Sequence, residues 1–284
     1  MNISLAYRQL TAQLFEIYDT REAANIADIV IEHVTGQRKI DRIVYKDLPV
    51  TKDQQQQLEK ITAELLHHRP VQYITGKAWF MNMELIVNES VLIPRPETEE
   101  LVEWIIKETK QNSKDLSIID IGTGSGCIPI VLKKKIPAAT VAAIDISDSA
   151  LQTAMLNANE QNVAINFLLI NFLIKEEWKQ LGQYDIIVSN PPYIKQSESV
   201  ALKDNVMKYE PHLALFVPDE NPLLFYAEIA KFAQKHLKHG GSVYVEINEA
   251  LGTEVVDLFK LNGFTEVILK KDMQEKDRFV KAIF

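Results

Sequence analysis

From Leu116 to its end the sequence alternates short apolar strands with helices, and this alternation narrows the fold more than any other feature. SIIDI, TVAAID, INFLLI and YDIIVSN read as strands. CIPIVLKKK, SDSALQTAMLNANEQ and PLLFYAEIAKFAQKHLKHGG read as helices, the last expected to start at Pro222 and to stop at Gly240 and Gly241. SVYVEI, TEVILKK and RFVKAIF are late strands. Strands and helices in this alternation bury both faces of a sheet, which predicts a doubly wound α/β fold.

Within that pattern, Asp120-Ile-Gly122-Thr123-Gly124-Ser125-Gly126 follows the first of these strands and opens a helix. Glycines allow a tight turn and a close approach of backbone to ligand, and the helix start adds oriented N–H groups. Asp145 ends the next strand, where a carboxylate can accept hydrogen bonds from both ribose hydroxyls of a nucleoside. These features indicate a nucleoside-containing cofactor without choosing between NAD and S-adenosylmethionine. Cys127 stands where the dinucleotide fingerprint wants a third glycine or alanine, which weighs against NAD.

YDIIVSN runs straight into Asn190-Pro191-Pro192-Tyr193. Neither proline has an N–H, so ladder pairing ends there and carbonyls are left free to accept. Such a stiff turn suits methyl transfer to a planar nitrogen. The lone pair of an amide or exocyclic amine is delocalised, and the nitrogen gains positive charge as the methyl arrives. Acceptors already in place for its N–H groups stabilise that charge. The Asn190 side-chain oxygen and the Pro191 carbonyl are the candidates, with Tyr193 covering the planar group.

The first seventy residues read as helices. A stripe from Ser4 to Tyr18 gives one, and a second follows Thr20 and ends near Gly36. Thr51 and Gln54 have capping-box spacing for a third, which Pro70 stops. From Val71, VQYITGKAWFMNMELIVNESVLIP is expected to form short strands or a hairpin, and PETEELVEWIIKETK a helix. The division expected is therefore a helical domain over 1–70, a hairpin linker over 71–95 and the α/β domain over 96–284.

Composition removes other classes. No apolar run approaches the ~18 residues of a membrane span, and the first residues have no signal-peptide core. A lone cysteine, Cys127, forms no internal disulfide, which fits a reducing, cytoplasmic setting. The net charge of −8 and pI of about 5.4 give no global attraction to phosphate backbones. The histidines show no metal-like spacing, so no metal is expected.

Taken together, the sequence resembles the HemK/PrmC family of release factor glutamine methyltransferases. The resemblance rests on Pro70-Val-Gln-Tyr-Ile-Thr-Gly76, VLIPRPETE (Val91 to Glu99), DIGTGSG, Asp145 with Ala150 and Asn157-Ala158, IVSNPPYI, Tyr209-Glu-Pro-His-Leu-Ala-Leu215, and the closing Lys271-Asp272 and Asp277-Arg278. VLIPRPETE combined with YEPHLAL is its most specific part. The resemblance implies a class I S-adenosylmethionine-dependent methyltransferase domain with a seven-stranded Rossmann-like sheet, behind a small helical bundle that docks the substrate. It implies transfer of a methyl group to N5 of the glutamine in the Gly-Gly-Gln loop of peptide chain release factors, with S-adenosylhomocysteine as product. On this resemblance Gly122, Thr123, Gly124, Ser125 and Gly126 line the methionine moiety, Asp145 holds the ribose and Phe172 sits by the adenine. Asn190, Pro191, Pro192 and Tyr193 hold the glutamine amide, Asn190 also bordering the cofactor. A monomer acting without membrane or nucleic acid is expected. The sequence departs from the family at Asn171, often Asp, at Asn221-Pro222, where a glycine is common, and at EINEALG with its Asn248, which lacks the customary glycine and glutamine.

Three other readings stand beside this one. A methyltransferase acting on adenine or guanine amino groups would grip a flipped base with the same tetrapeptide, and the acidic charge counts against it. A nicotinamide dehydrogenase lacks a motif for the acid–base residue at a hydride acceptor. A non-catalytic adapter has no use for an intact tetrapeptide. Arg95, Glu97 and Thr98 read equally as a helix start or as the edge of the cofactor site, and Glu246 as a buried partner or a site acid.

Overall fold

The computed structural model describes residues 1–109 and 115–284. They form two compact units, Met1–Lys77 with Lys203–Tyr209, and Ala78–Leu202 with Glu210–Phe284.

The first unit contains α1 (Ile3–Leu14), α2 (Thr20–Thr35), α3 (Lys39–Val44), α4 (Lys52–Leu66) and α5 (Val71–Thr75). Its core is a set of fully buried side chains, Leu14, Ala27, Val30, Ile31 and Leu65 among them. The ends of the helices follow local chemistry. Asp19, rather than Thr20, caps α2 by accepting from the N–H groups of Arg21 and Glu22, and Gly36 closes it in a left-handed conformation. Thr51 and Gln54 exchange the two hydrogen bonds of a capping box at α4. VQYIT, expected to be extended, is the short helix α5. Pro70 stands at its start with φ −57°, Gly76 ends it with φ +72°, and Val71 and Tyr73 are buried. The short helix Asp204–Tyr209, α9 in chain order, also belongs here. Tyr209 donates to the His67 carbonyl at 3.0 Å, and Lys203 pairs with Glu22 at 3.6 Å. The sequence reading put everything after residue 96 in one domain, because contacts so distant along the chain leave no local pattern.

The second unit opens, one residue into β1 (Lys77–Phe80), with a hairpin to β2 (Met83–Ile86), turned by Met81 and Asn82, both at positive φ. Then come α6 (Pro96–Thr109), β3 (Ser117–Ile121), α7 (Cys127–Lys135), β4 (Thr140–Asp145), α8 (Asp148–Glu160), β5 (Asn166–Leu169) and β6 (Tyr184–Ser189). Lys110, the last residue of the helix expected there, lies outside the described residues. The chain continues with β7 (Ile194–Lys195), β8 (Phe216–Val217), α10 (Leu224–His236), β9 (Leu237–Glu246), α11 (Gly252–Leu261), β10 (Glu266–Lys271) and β11 (Asp277–Ile283).

Seven strands form one sheet in the order β10-β11-β9-β6-β3-β4-β5. Pairings from β9 through β5 are parallel, and β11 runs antiparallel to both its neighbours. Alternate residues of each strand point to opposite faces, so the sheet carries two cores. Ile119, Ile121, Ile187, Val243 and Val245 cluster with Tyr226, Ile229 and Phe232 of α10 and Val255 and Phe259 of α11. Ile118, Val141, Ile186 and Val188 cluster with Leu101 and Ile105 of α6 and Ile130 and Val131 of α7.

Three boundaries differ from the expectation: α1 ends at Leu14 rather than near Tyr18, α10 starts at Leu224 rather than at Pro222, and its end lies earlier. Helix α10 ends at His236, and Gly240 and Gly241 lie inside β9. The apolar spacing runs on to Leu237, which misplaces the boundary when read locally. A Cβ on Gly241 would stand 2.8 Å from the Asp185 carbonyl, beside the register shift where β9 pairs with β6. We predict that Gly241→Ala costs about 1–3 kcal/mol of stability by overpacking, read as a lower urea midpoint. An unchanged midpoint would contradict this close approach.

Candidate functional site

The order of the sheet fixes where a ligand binds. From β3 the chain builds outward through β4 and β5, then crosses back to β6 on the other side of β3. Loops leaving the carboxyl ends of β3 and β6 therefore diverge, and the crevice between them is the usual ligand site of an open α/β sheet. A cavity of about 250 Å³ occupies this place. Gly122, Thr123, Gly124 and Ser125 line it after β3, Asp145 after β4, Phe172 after β5, and Asn190, Pro191 and Pro192 after β6.

Two of the expected residues, Gly126 and Tyr193, do not line it. Gly126, at φ +79°, packs inward: a Cβ there would meet the Ala154 Cβ on α8 at 3.1 Å. At Gly122 and Gly124, by contrast, a Cβ would project into open space. The Tyr193 ring is partly buried against the sheet core, and its hydroxyl donates to Glu246 Oε1 at 3.0 Å.

Asp145 braces the glycine turn. Its Oδ2 accepts from the Gly124 N–H and its Oδ1 from the Ser147 N–H, both at 2.9 Å. Each oxygen keeps a further lone pair. Burial raises its pKa, against those backbone hydrogen bonds. Asp120 is fully buried, and among the described residues neither its carboxylate oxygens nor the Thr123 hydroxyl has a hydrogen-bond partner. Burial pushes Asp120 up to about 7; the Thr123 hydroxyl lies near enough to lower it, and Asp145 raises it further. Burial likewise pushes the Cys127 thiol up to about 12, so it stays protonated and is no nucleophile.

At the other wall, Asn190 Nδ2 donates to Thr98 Oγ1 at 3.0 Å, and Thr98 Oγ1 donates to Glu246 Oε2 at 2.7 Å. Asn190 Oδ1 makes no hydrogen bond among the described residues. Arg95 reaches the same cavity and pairs with Glu210 at 2.6 Å, joining VLIPRPETE to YEPHLAL. The Asn171 side chain accepts from the Leu173 N–H at 3.1 Å and so closes its own turn.

Sequence reasoning gave no role to Asn157, named only as part of the resemblance, and did not single out Ile146. Asn157 donates to the carbonyls of Ile86 and Ser125, both at 2.9 Å, and accepts from the Ile86 N–H, tying β2 and the glycine turn to α8. An amide on a helix face otherwise made of Ala150, Ala154 and Ala158 was the available signal. Ile146, half exposed, lines the cavity beside Asp145. Of Arg95, Glu97 and Thr98, Arg95 and Thr98 line the cavity and Glu97 does not, while Glu97 and Thr98 also stand in the first turn of α6.

A glycine turn, an acid at the end of β4 and a proline turn around the switch point of a seven-stranded sheet define a methyltransferase that uses S-adenosylmethionine. The space left by Gly122 and Gly124, with Thr123 on the cavity lining and the buried Asp120 beside it, fits a ligand bearing a cationic amino acid moiety. Comparison with known proteins agrees. The Methyltransferase small domain family matches residues 98–211, and the PrmC N-terminal domain family matches residues 6–76. A release factor glutamine methyltransferase of Flavobacterium psychrophilum is 45% identical over 97% of each chain. One of Bacteroides thetaiotaomicron is 40% identical over 99% of each. A Thermus thermophilus 16S rRNA N2 G1207 methyltransferase, solved with AdoMet and guanosine, superposes with TM-score 0.52 at 15% identity, over 73% of this chain and 49% of that one. That likeness concerns the fold alone. The chain belongs to the release factor glutamine methyltransferase family. No helix among the described residues is long and apolar enough to cross a membrane.

Proposed function

We propose that this enzyme methylates N5 of the glutamine in the Gly-Gly-Gln loop of peptide chain release factors. One observation carries the chemistry: the Asn190 amide stands at the cavity wall with its Nδ2 bonded to Thr98 and its Oδ1 free. Near-full-length relatives that bear the family's name support the substrate.

When bound, S-adenosylmethionine supplies an electrophilic methyl group and leaves as a neutral thioether. Asp145 has lone pairs left for the ribose hydroxyls, Phe172 offers a ring face to the adenine, and Asp120 and Thr123 suit the methionine ammonium. Asn190 Oδ1 and the Pro191 carbonyl accept the two N–H groups of the substrate amide. This orients its lone pair and stabilises the charge that grows on nitrogen. Once the N–C bond has formed, the cationic amide is acidic enough to release one proton to water. Pro191 and Pro192 hold this edge stiff.

The helical first unit is proposed to dock the release factor. The enzyme is proposed to act as a monomer in the cytoplasm without binding nucleic acid, in keeping with its acidic charge. Labelled S-adenosylmethionine with a purified release factor, and with its Gln→Ala loop variant, tests the reading. We expect label on the intact factor and none on the variant. Label on RNA or DNA instead would overturn it in favour of a base-methylating enzyme.

A further inference from the structure

The tetrapeptide does not hold itself in place. Both its ends hang on one carboxylate from another part of the chain. Glu246, at the end of β9, is 1% exposed, and Thr98, in the first turn of α6, is 2% exposed. Glu246 accepts from Tyr193 on one oxygen and from Thr98 on the other. Burial pushes Glu246 up to about 7, while the hydrogen bonds from Thr98 and Tyr193 and the nearby Arg278 hold it down. Its ionised form, accepting on both oxygens, has no proton to give, so Thr98 spends its hydroxyl proton on Glu246. The Thr98 oxygen is then left as an acceptor, and only the NH₂ side of Asn190 can bond to it. The polarity of the chain, not the shape of the amide, thus decides which atom of Asn190 faces the cavity.

We propose that Thr98 and Glu246 are positioning residues that lock the Asn190 amide with Oδ1 toward the substrate nitrogen and hold Tyr193 behind it. This rests on the reaction proposed above and deepens it. With Thr98 removed, the amide is free to turn, and in half of its orientations a donor would face the developing positive charge. A valine at 98 keeps the shape and loses the acceptor; a serine keeps the acceptor.

The test measures kcat, KM and cofactor Kd for Thr98→Val, Thr98→Ser and Glu246→Gln with a purified release factor, thermal unfolding serving as the check on folding. Thr98→Val is expected to lower kcat roughly 10- to 100-fold, as misoriented reacting groups do, with cofactor Kd within about twofold of wild type. Thr98→Ser should recover kcat to within about threefold. Glu246→Gln, with one acceptor oxygen for two donors, should lower kcat at least about fivefold. In an Asn190→Ala background, Thr98→Val should cost less than about twofold more, because the group it positions is gone. A purely structural Thr98 would instead give additive losses with no rescue by serine. Full kcat in Thr98→Val or in Glu246→Gln would overturn the proposal while leaving the reaction intact, whereas a wild type inactive on release factors would remove the reaction. A substrate-free measurement reads the lock in either case. The side-chain amide protons of Asn190, followed by NMR in ¹⁵N-asparagine-labelled protein, should be protected from solvent exchange in wild type and Thr98→Ser and lose that protection in Thr98→Val. Equal exchange in all three would sink the lock.

Discussion

Asn190→Ala is expected to lower kcat by roughly 10²–10³-fold with little change in cofactor affinity, the loss that follows removal of one charge-stabilising hydrogen-bond partner. An amide nitrogen is a poor nucleophile until its lone pair is released from the carbonyl, and that release puts positive charge on the nitrogen. Asn190 Oδ1 is held at the cavity wall by the bond from Nδ2 to Thr98, so this acceptor needs no reorganisation when the charge appears. The ground-state substrate gains less from it than the transition state does, so the loss falls on kcat rather than on KM. Steady-state kinetics on a purified release factor, with calorimetry for the cofactor, checks both halves. Unchanged turnover would remove Asn190 from the mechanism.

Asp145→Ala should weaken cofactor binding by about 1–3 kcal/mol, a loss of hydrogen bonds to a charged group. Two effects point the same way. The ribose loses its acceptors, and the Gly124 N–H loses the carboxylate that braces the glycine turn. Calorimetry returning wild-type affinity would refute the ribose assignment. Asp145→Asn retains an acceptor oxygen, so it should recover part of the loss and separate the brace from the charge.

Much of this was legible along the chain because it is local. The glycine turn and the strand before it appear where the spacing puts them, as do the capping box at Thr51 and the left-handed stop at Gly36. Each depends on residues within a few positions. The same locality explains the misses. VQYIT has strand-like composition, yet it forms a helical turn because it is set between Pro70 and Gly76 and buries Val71 and Tyr73. The period that runs through KHLKHGG conceals the start of β9, whose course is set by pairing with β6. Glycine letters alone do not separate Gly124, beside open space, from Gly126, packed against α8.

The sequence by itself determined the class of fold, the glycine turn and the tetrapeptide, because strand period, glycine conformations and proline's missing N–H act within a few residues of backbone. Only the tertiary structure decided that Asn190 donates through Nδ2 to Thr98 at the cavity wall. That choice depends on a buried carboxylate 56 residues downstream and a hydroxyl 92 residues upstream, and hydrogen-bond polarity passes between them through space rather than along the chain.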